Sequence, residues 1–123
     1  MKFIKLYVDE RGESHFQDID ITFEAVDFAP PAPLIQLSSF QPATQFAFCC
    51  FRSGWHGDWH PAPHKQIFFI LSGESEAQAS DGEVRQFGPG SALLVEDTWG
   101  KGHISRVIGE NDMLCAVVQL PKN

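Results

Sequence analysis

Helical periodicity is almost absent from this chain, and that constrains its fold more than any other feature. Apolar residues do not recur at three- and four-residue spacing. They come in short runs rich in Val, Ile, Phe and Thr, cut by Gly, Pro, Asp and Asn. The pattern predicts strands at Phe3–Val8, His15–Phe23, Pro33–Phe40, Gln45–Arg52 and a proline-interrupted Trp59–Leu71. Further strands are expected at Ser75–Ala79, Val84–Phe87, Ala92–Glu96, His103–Ile108 and Met113–Leu120. Between Ser75–Ala79 and Val84–Phe87, Asp81-Gly82 supplies the positive φ angles of a tight hairpin turn. The run Ile67–Leu71 is expected to be buried on both faces. Many short strands joined by Gly and Pro turns give an antiparallel sandwich or barrel, in which closure removes exposed edges.

At 123 residues the chain is long enough for one small core and one domain. Its net charge of −7 argues against nucleic acid or an anionic membrane as partner, since both repel an acidic surface. No apolar run approaches the ~20 residues of a membrane helix. The opening Met1-Lys2-Phe3-Ile4-Lys5-Leu6 does not read as a signal peptide. Cys49, Cys50 and Cys115 lie in apolar stretches. An odd count with an adjacent pair is no disulfide framework, so they are expected as small hydrophobes in a reducing, cytoplasmic setting.

Four of the five histidines fall between residues 56 and 103. His56, His60, His64 and Gln66 are all even-numbered, and even positions of an extended strand share a face. Several imidazoles could thereby converge on one interior. Pro61 and Pro63 keep the chain extended but break ladder bonds, and Gly54 and Gly57 permit bends.

The spacing of these residues resembles the cupin superfamily. Its first motif, Gly, five residues, His, one residue, His, three or four residues, Glu, six residues, Gly, is matched in spacing by Gly54, His60, Ala62, Gln66 and Gly73. Two of the three metal ligands in that motif are thus replaced. The second motif is matched by Gly90 and His103, with Glu96 at the proline position, two extra residues in the loop and Val107 in place of the asparagine. His60-Pro61-Ala62-Pro63 with Gln66, and Glu96-Asp97-Thr98 with Gly100-Lys101-Gly102-His103, look like a group of short bacterial cupins.

The resemblance implies an all-β fold, a single-domain double-stranded β-helix, or jelly-roll, over residues 1–123. Its cupin-motif core would span 36–120, and the strands of 1–35 would extend the barrel or a dimer sheet. It also implies a homodimer, and a divalent transition metal (Fe, Mn, Ni, Cu or Zn) inside the barrel. Here His60 and His103 would hold such a metal, with Gln66 giving a weaker amide oxygen or His64 moving in as a third imidazole; His56 is more distant. Loss of the carboxylate lowers affinity for a dication.

Three readings follow. The first is a metal-dependent enzyme acting on a small metabolite at His60, His103 and Gln66 or His64. The second is a metal-free enzyme, epimerase- or dehydratase-like, in which His60 or His103 is general acid/base and Asp97 orients it. The third is a non-catalytic module that binds or senses a small molecule. Asp97 could instead cap the turn before the glycine loop. Glu96, of opposite parity, is expected on a solvated face. Lys101 and Arg106 are read as surface residues or contacts for an anionic substrate. Trp55, Trp59 and Trp99 are read as core or dimer contacts, or as stacking surfaces for a planar ligand.

Overall fold

The computed structural model describes residues 1–122, and among these there is no helix. Eleven strands are formed: β1 (Lys2–Val8), β2 (Ser14–Asp20), β3 (Glu24–Val26), β4 (Ile35–Leu37), β5 (Gln45–Phe51), β6 (Gln66–Ser72), β7 (Glu74–Ala79), β8 (Val84–Phe87), β9 (Ala92–Val95), β10 (His103–Ile108) and β11 (Met113–Gln119). The larger sheet has the order β2-β1-β9-β6-β11-β5 and the smaller β10-β7-β8, while β3 and β4 pair only with each other. Every named pair is antiparallel except β1 with β9.

Alternation decides what faces inward. On β7, Ser75, Ala77 and Ala79 are buried between the exposed or half-buried Glu74, Glu76 and Gln78. Leu6, Val95, Ile70 and Cys115 from the larger sheet meet Ala77, Phe87 and Val107 from the smaller one. The hairpin between β7 and β8 forms, with the Ala79 amide donating to the Glu83 carbonyl (2.9 Å), but its turn differs from the expected one: only Gly82 takes a positive φ (98°), and Asp81 does not.

Two further expectations need correction. The segment Trp59–Leu71 is not one strand. β6 starts at Gln66, and the residues before Pro61 pair with β10 instead. His60 and His103 exchange both backbone hydrogen bonds (3.1 and 3.0 Å), Gly57 donates to the Ser105 carbonyl, and Val107 donates to the Trp55 carbonyl. Pro61 and Pro63 have no N–H to continue a ladder, so the chain changes sheets there. Nor is Ile67–Leu71 buried on both faces: Phe69 and Leu71 are exposed on the outer side of the larger sheet. A fully apolar run does not reveal which of its faces the chain covers.

Candidate functional site: the barrel cavity

Between the sheets lies a cavity of about 120 Å³. Its walls are apolar, from Phe51, Phe68, Phe87, Leu93 and Met113, and His60, Gln66 and His103 supply polar groups. The small side chains of Ser75 and Ala77 leave the space.

His103 is buried at the start of β10. Its Nδ1 donates to Asp97 Oδ2 at 2.6 Å. Asp97 is wholly buried and its Oδ1 has no hydrogen-bond partner. A carboxylate in that position holds the ring proton on Nδ1 and leaves Nε2 as the basic nitrogen. His60 is arranged in parallel: Nδ1 donates to the Asp58 carbonyl (2.7 Å), again leaving Nε2 free. The two rings sit 4.9 Å apart, tilted by 50°. They differ in surroundings, since His60 is exposed and His103 is not. The backbone fixes this pair tightly. Gly102 packs against the His60 carbonyl, its own carbonyl accepts from Ser14 Oγ (2.7 Å), and Ala62 donates to the Asp97 carbonyl (2.9 Å).

The residues singled out from the sequence are thus divided. His60, Gln66 and His103 line the cavity, and Asp97 stands behind His103. His64 does not join them. It lines a separate surface hollow with Tyr7, Lys65, Glu96 and Lys122, because the turn through Pro61 and Pro63 breaks the even-position parity. His56 is exposed and pairs by its backbone with Arg106. Glu96 is not simply solvated: its carboxylate meets Lys5 (3.4 Å) and Lys65 (3.2 Å) and is largely covered. All three tryptophans are exposed; Trp55 also lines the cavity, with its ring edge-on to Phe51. The cysteines are all free thiols, but only Cys115 is buried; Cys49 is half-buried and Cys50 exposed. Lys101 pairs with Glu13 (2.7 Å), and Arg106, at the cavity wall, pairs with Glu76 (3.2 Å).

Sequence reasoning missed the small inward residues of β7 and the partner of Gln66. That partner is Gln119, whose Nε2 donates to Gln66 Oε1 at 3.3 Å. The Ser-Glu-Ala-Gln-Ala alternation was the available signal for the first; nothing local signals the second.

The donor set does not fit a resident divalent cation. Two neutral imidazole nitrogens face the cavity, the position of the second motif histidine is the methyl group of Ala62, and the carboxylate is replaced by an amide oxygen already engaged by Gln119. Among the described residues no three His, Cys, Asp or Glu side chains are placed to hold a metal ion together. Two neutral donors without a charged ligand bind a dication weakly.

The barrel is similar to solved cupins. It matches a Cupin 2 conserved barrel domain protein from Salinispora arenicola at TM-score 0.50 and 15% identity, over 82% of this chain and 76% of that one. It matches the Cnp3 cupin domain of Schizosaccharomyces pombe at TM-score 0.52 and 11% identity, over 98% of this chain and 88% of that one. No protein-family model matches the chain, and no curated protein matches it. Two packed, mainly antiparallel sheets with a cavity between them define a jelly-roll barrel, a fold like that of these solved cupin domains.

Proposed function

We propose that the cavity binds a small, mainly apolar molecule and moves a proton on it, with His103 as general base and acid, Asp97 positioning it, and no metal. The observation that carries this reading is the buried Asp97–His103 hydrogen bond of 2.6 Å beside an apolar cavity. The carboxylate orients the ring and stabilises the imidazolium formed when Nε2 takes a proton. The apolar walls exclude water and favour a ligand body near the size of benzene, which fills a cavity of about 150 Å³. His60, nearer solvent, would exchange the proton with water or hydrogen-bond the ligand's polar group. The free thiols support a reducing, cytoplasmic setting.

The test is deuterium wash-in from D2O, followed by NMR, into a panel of small aromatic and branched aliphatic ketones, aldehydes and 2-substituted acids. Chelator is present throughout. Exchange catalysed by the protein, lost in His103→Ala and strongly reduced in Asp97→Asn, is the expected result. Exchange that needs added Fe, Mn, Ni, Cu or Zn would overturn the metal-free reading. Tight binding in the panel with no exchange at any pH would leave a binding module in its place.

A further inference from the structure

Gln66, Gln119 and Gln45 stand opposite one another on three neighbouring strands, β6, β11 and β5. That register lines up their amides. Gln45 Nε2 donates to Gln119 Oε1 at 2.5 Å, and Gln119 Nε2 donates to Gln66 Oε1 at 3.3 Å. The ladder starts at the exposed Gln45, passes the half-buried Gln119 and ends on the buried Gln66. Each amide orients the next, and each bond polarises the one beside it.

The ladder leaves one group over. The oxygen of Gln66 is engaged, while its Nε2 donates to no acceptor among the described residues. That nitrogen is not sealed in protein either. Among the described residues, Asp97 Oδ1 is the one fully enclosed polar side-chain atom without a partner. Gln66 is only 8% exposed and lines the cavity, so its NH2 group opens there. A buried donor without an acceptor is costly, and whatever fills the cavity must satisfy it. The walls around it are apolar, and Arg106 at the cavity wall is engaged by Glu76 (3.2 Å). An anionic ligand would therefore be buried without a counter-charge. A ligand hydroxyl would bring a hydrogen of its own that needs an acceptor, and Gln66 Oε1 is taken. A carbonyl oxygen only accepts.

Resting on the proton-transfer reading above, we propose that the ligand is a neutral ketone or aldehyde whose oxygen accepts from Gln66 Nε2 while His103 Nε2 takes a proton from the adjacent carbon. The C–H electron pair becomes the C=C bond of an enolate. The carbonyl π pair moves onto the oxygen, where the Gln66 N–H meets the developing charge. Return of the proton from the imidazolium to that carbon restores the carbonyl, and nothing is oxidised or reduced. Gln66 is thus a donor to the substrate rather than an oxygen ligand. Gln119 is a positioning residue that holds the amide in this sense, and His60 is left to exchange the proton with water.

Three probes of similar size test this with chelator present: cyclopentanone, which only accepts, cyclopentanol, which donates and accepts, and methylenecyclopentane, which does neither. NMR of the Gln66 side-chain NH2 and the infrared C=O stretch of the bound ketone report the contact. Wild-type protein should bind cyclopentanone about tenfold more tightly than methylenecyclopentane. The ketone should move the NH2 signal, and its stretch should fall in frequency. In Gln66→Met the preference and the lowered stretch should vanish, and deuterium exchange into cyclopentanone should drop about 100-fold. Gln119→Met, which frees the Gln66 amide to turn, should lie between the two in every reading. Equal binding of ketone and hydrocarbon, a preference for cyclopentanol, or a ketone preference that survives Gln66→Met overturns the donor. His103-dependent exchange would in that case leave the proton-transfer reading standing. A ketone preference lost in Gln66→Met, with no exchange in the wild type, keeps the donor and overturns the proton transfer. Binding of none of the three probes overturns both. Should Gln66→Met fail to fold, the wild-type NH2 signal decides: it must move with cyclopentanone and not with methylenecyclopentane, and any other result refutes the donor.

Discussion

Replacing Gly102 with alanine should damage both the fold and the site. Gly102 has φ +74°, which strains an L-residue by about 1–2 kcal/mol. A Cβ there would also fall well inside 3.0 Å of the His60 carbonyl carbon and oxygen, and 2.5 Å from the Pro61 nitrogen. These are backbone atoms and cannot rotate away. Overpacking that forces a backbone shift adds about 1–3 kcal/mol, so a total loss of about 2–5 kcal/mol is expected. Gly82→Ala is the matched control. Its φ is +98° but nothing lies within 4 Å of its Cβ position, so it should lose only the conformational part, about 1–2 kcal/mol. Urea titration gives both values, provided the m-values agree. The imidazole resonances of His60 and His103 should move in Gly102→Ala and stay in place in Gly82→Ala, because His60 and His103 share two backbone hydrogen bonds beside Gly102. Equal destabilisation by the two substitutions would refute the close approach, and with it the claim that this glycine sets the separation of the two rings.

Other outcomes follow from single contacts. His15 lies between Asp9 (2.7 Å) and Asp81 (2.8 Å); hydrogen bonds, first to Asp9 and then to Asp81, hold its pKa above the ordinary imidazole value, and the bond to His15 lowers that of Asp9. The raised imidazole stabilises fully below its ordinary value and loses this as pH rises through the raised one, whereas Asp9 contributes above the ordinary carboxylate range and loses it on acidification. The Tm deficit of His15→Gln should therefore be largest below the ordinary imidazole value and shrink as pH rises through the raised one; a deficit that grows toward alkaline pH would contradict the arrangement. Burial pushes the Cys115 thiol up to about 12, so Ellman's reagent near about pH 8 should leave it untouched in the native protein and label it in urea. Ala62→His with Gln66→Glu restores the missing imidazole and carboxylate at the cavity. Calorimetry should then show one Co²⁺ per chain, bound at least about 100-fold more tightly than by the wild type. Equal affinities would mean the wild-type donors suffice.

Much of this protein was legible in its sequence. The all-β class, the β7–β8 hairpin and the limits of β8 and β10 follow from two-residue alternation and glycine turn chemistry, which are local. The spacing from Gly54 through His60 to Gly73 pointed to the barrel, and Asp97 stood out as a candidate orienter of His103. Tertiary structure decided the rest. Parity grouped His56 and His64 with His60, but the turn through Pro61 and Pro63 sends His64 to another hollow. His60 is matched with His103, some forty residues away, by a pairing that no local pattern encodes. Asp97 is wholly buried in a loop tied by backbone hydrogen bonds to Ala62 and, through Glu96, to Leu6. The run Ile67–Leu71 shows the limit most plainly. An apolar side chain reads the same whether its second face meets the chain's own core, another molecule or water, and only the packed sheet shows that Phe69 and Leu71 are left outside.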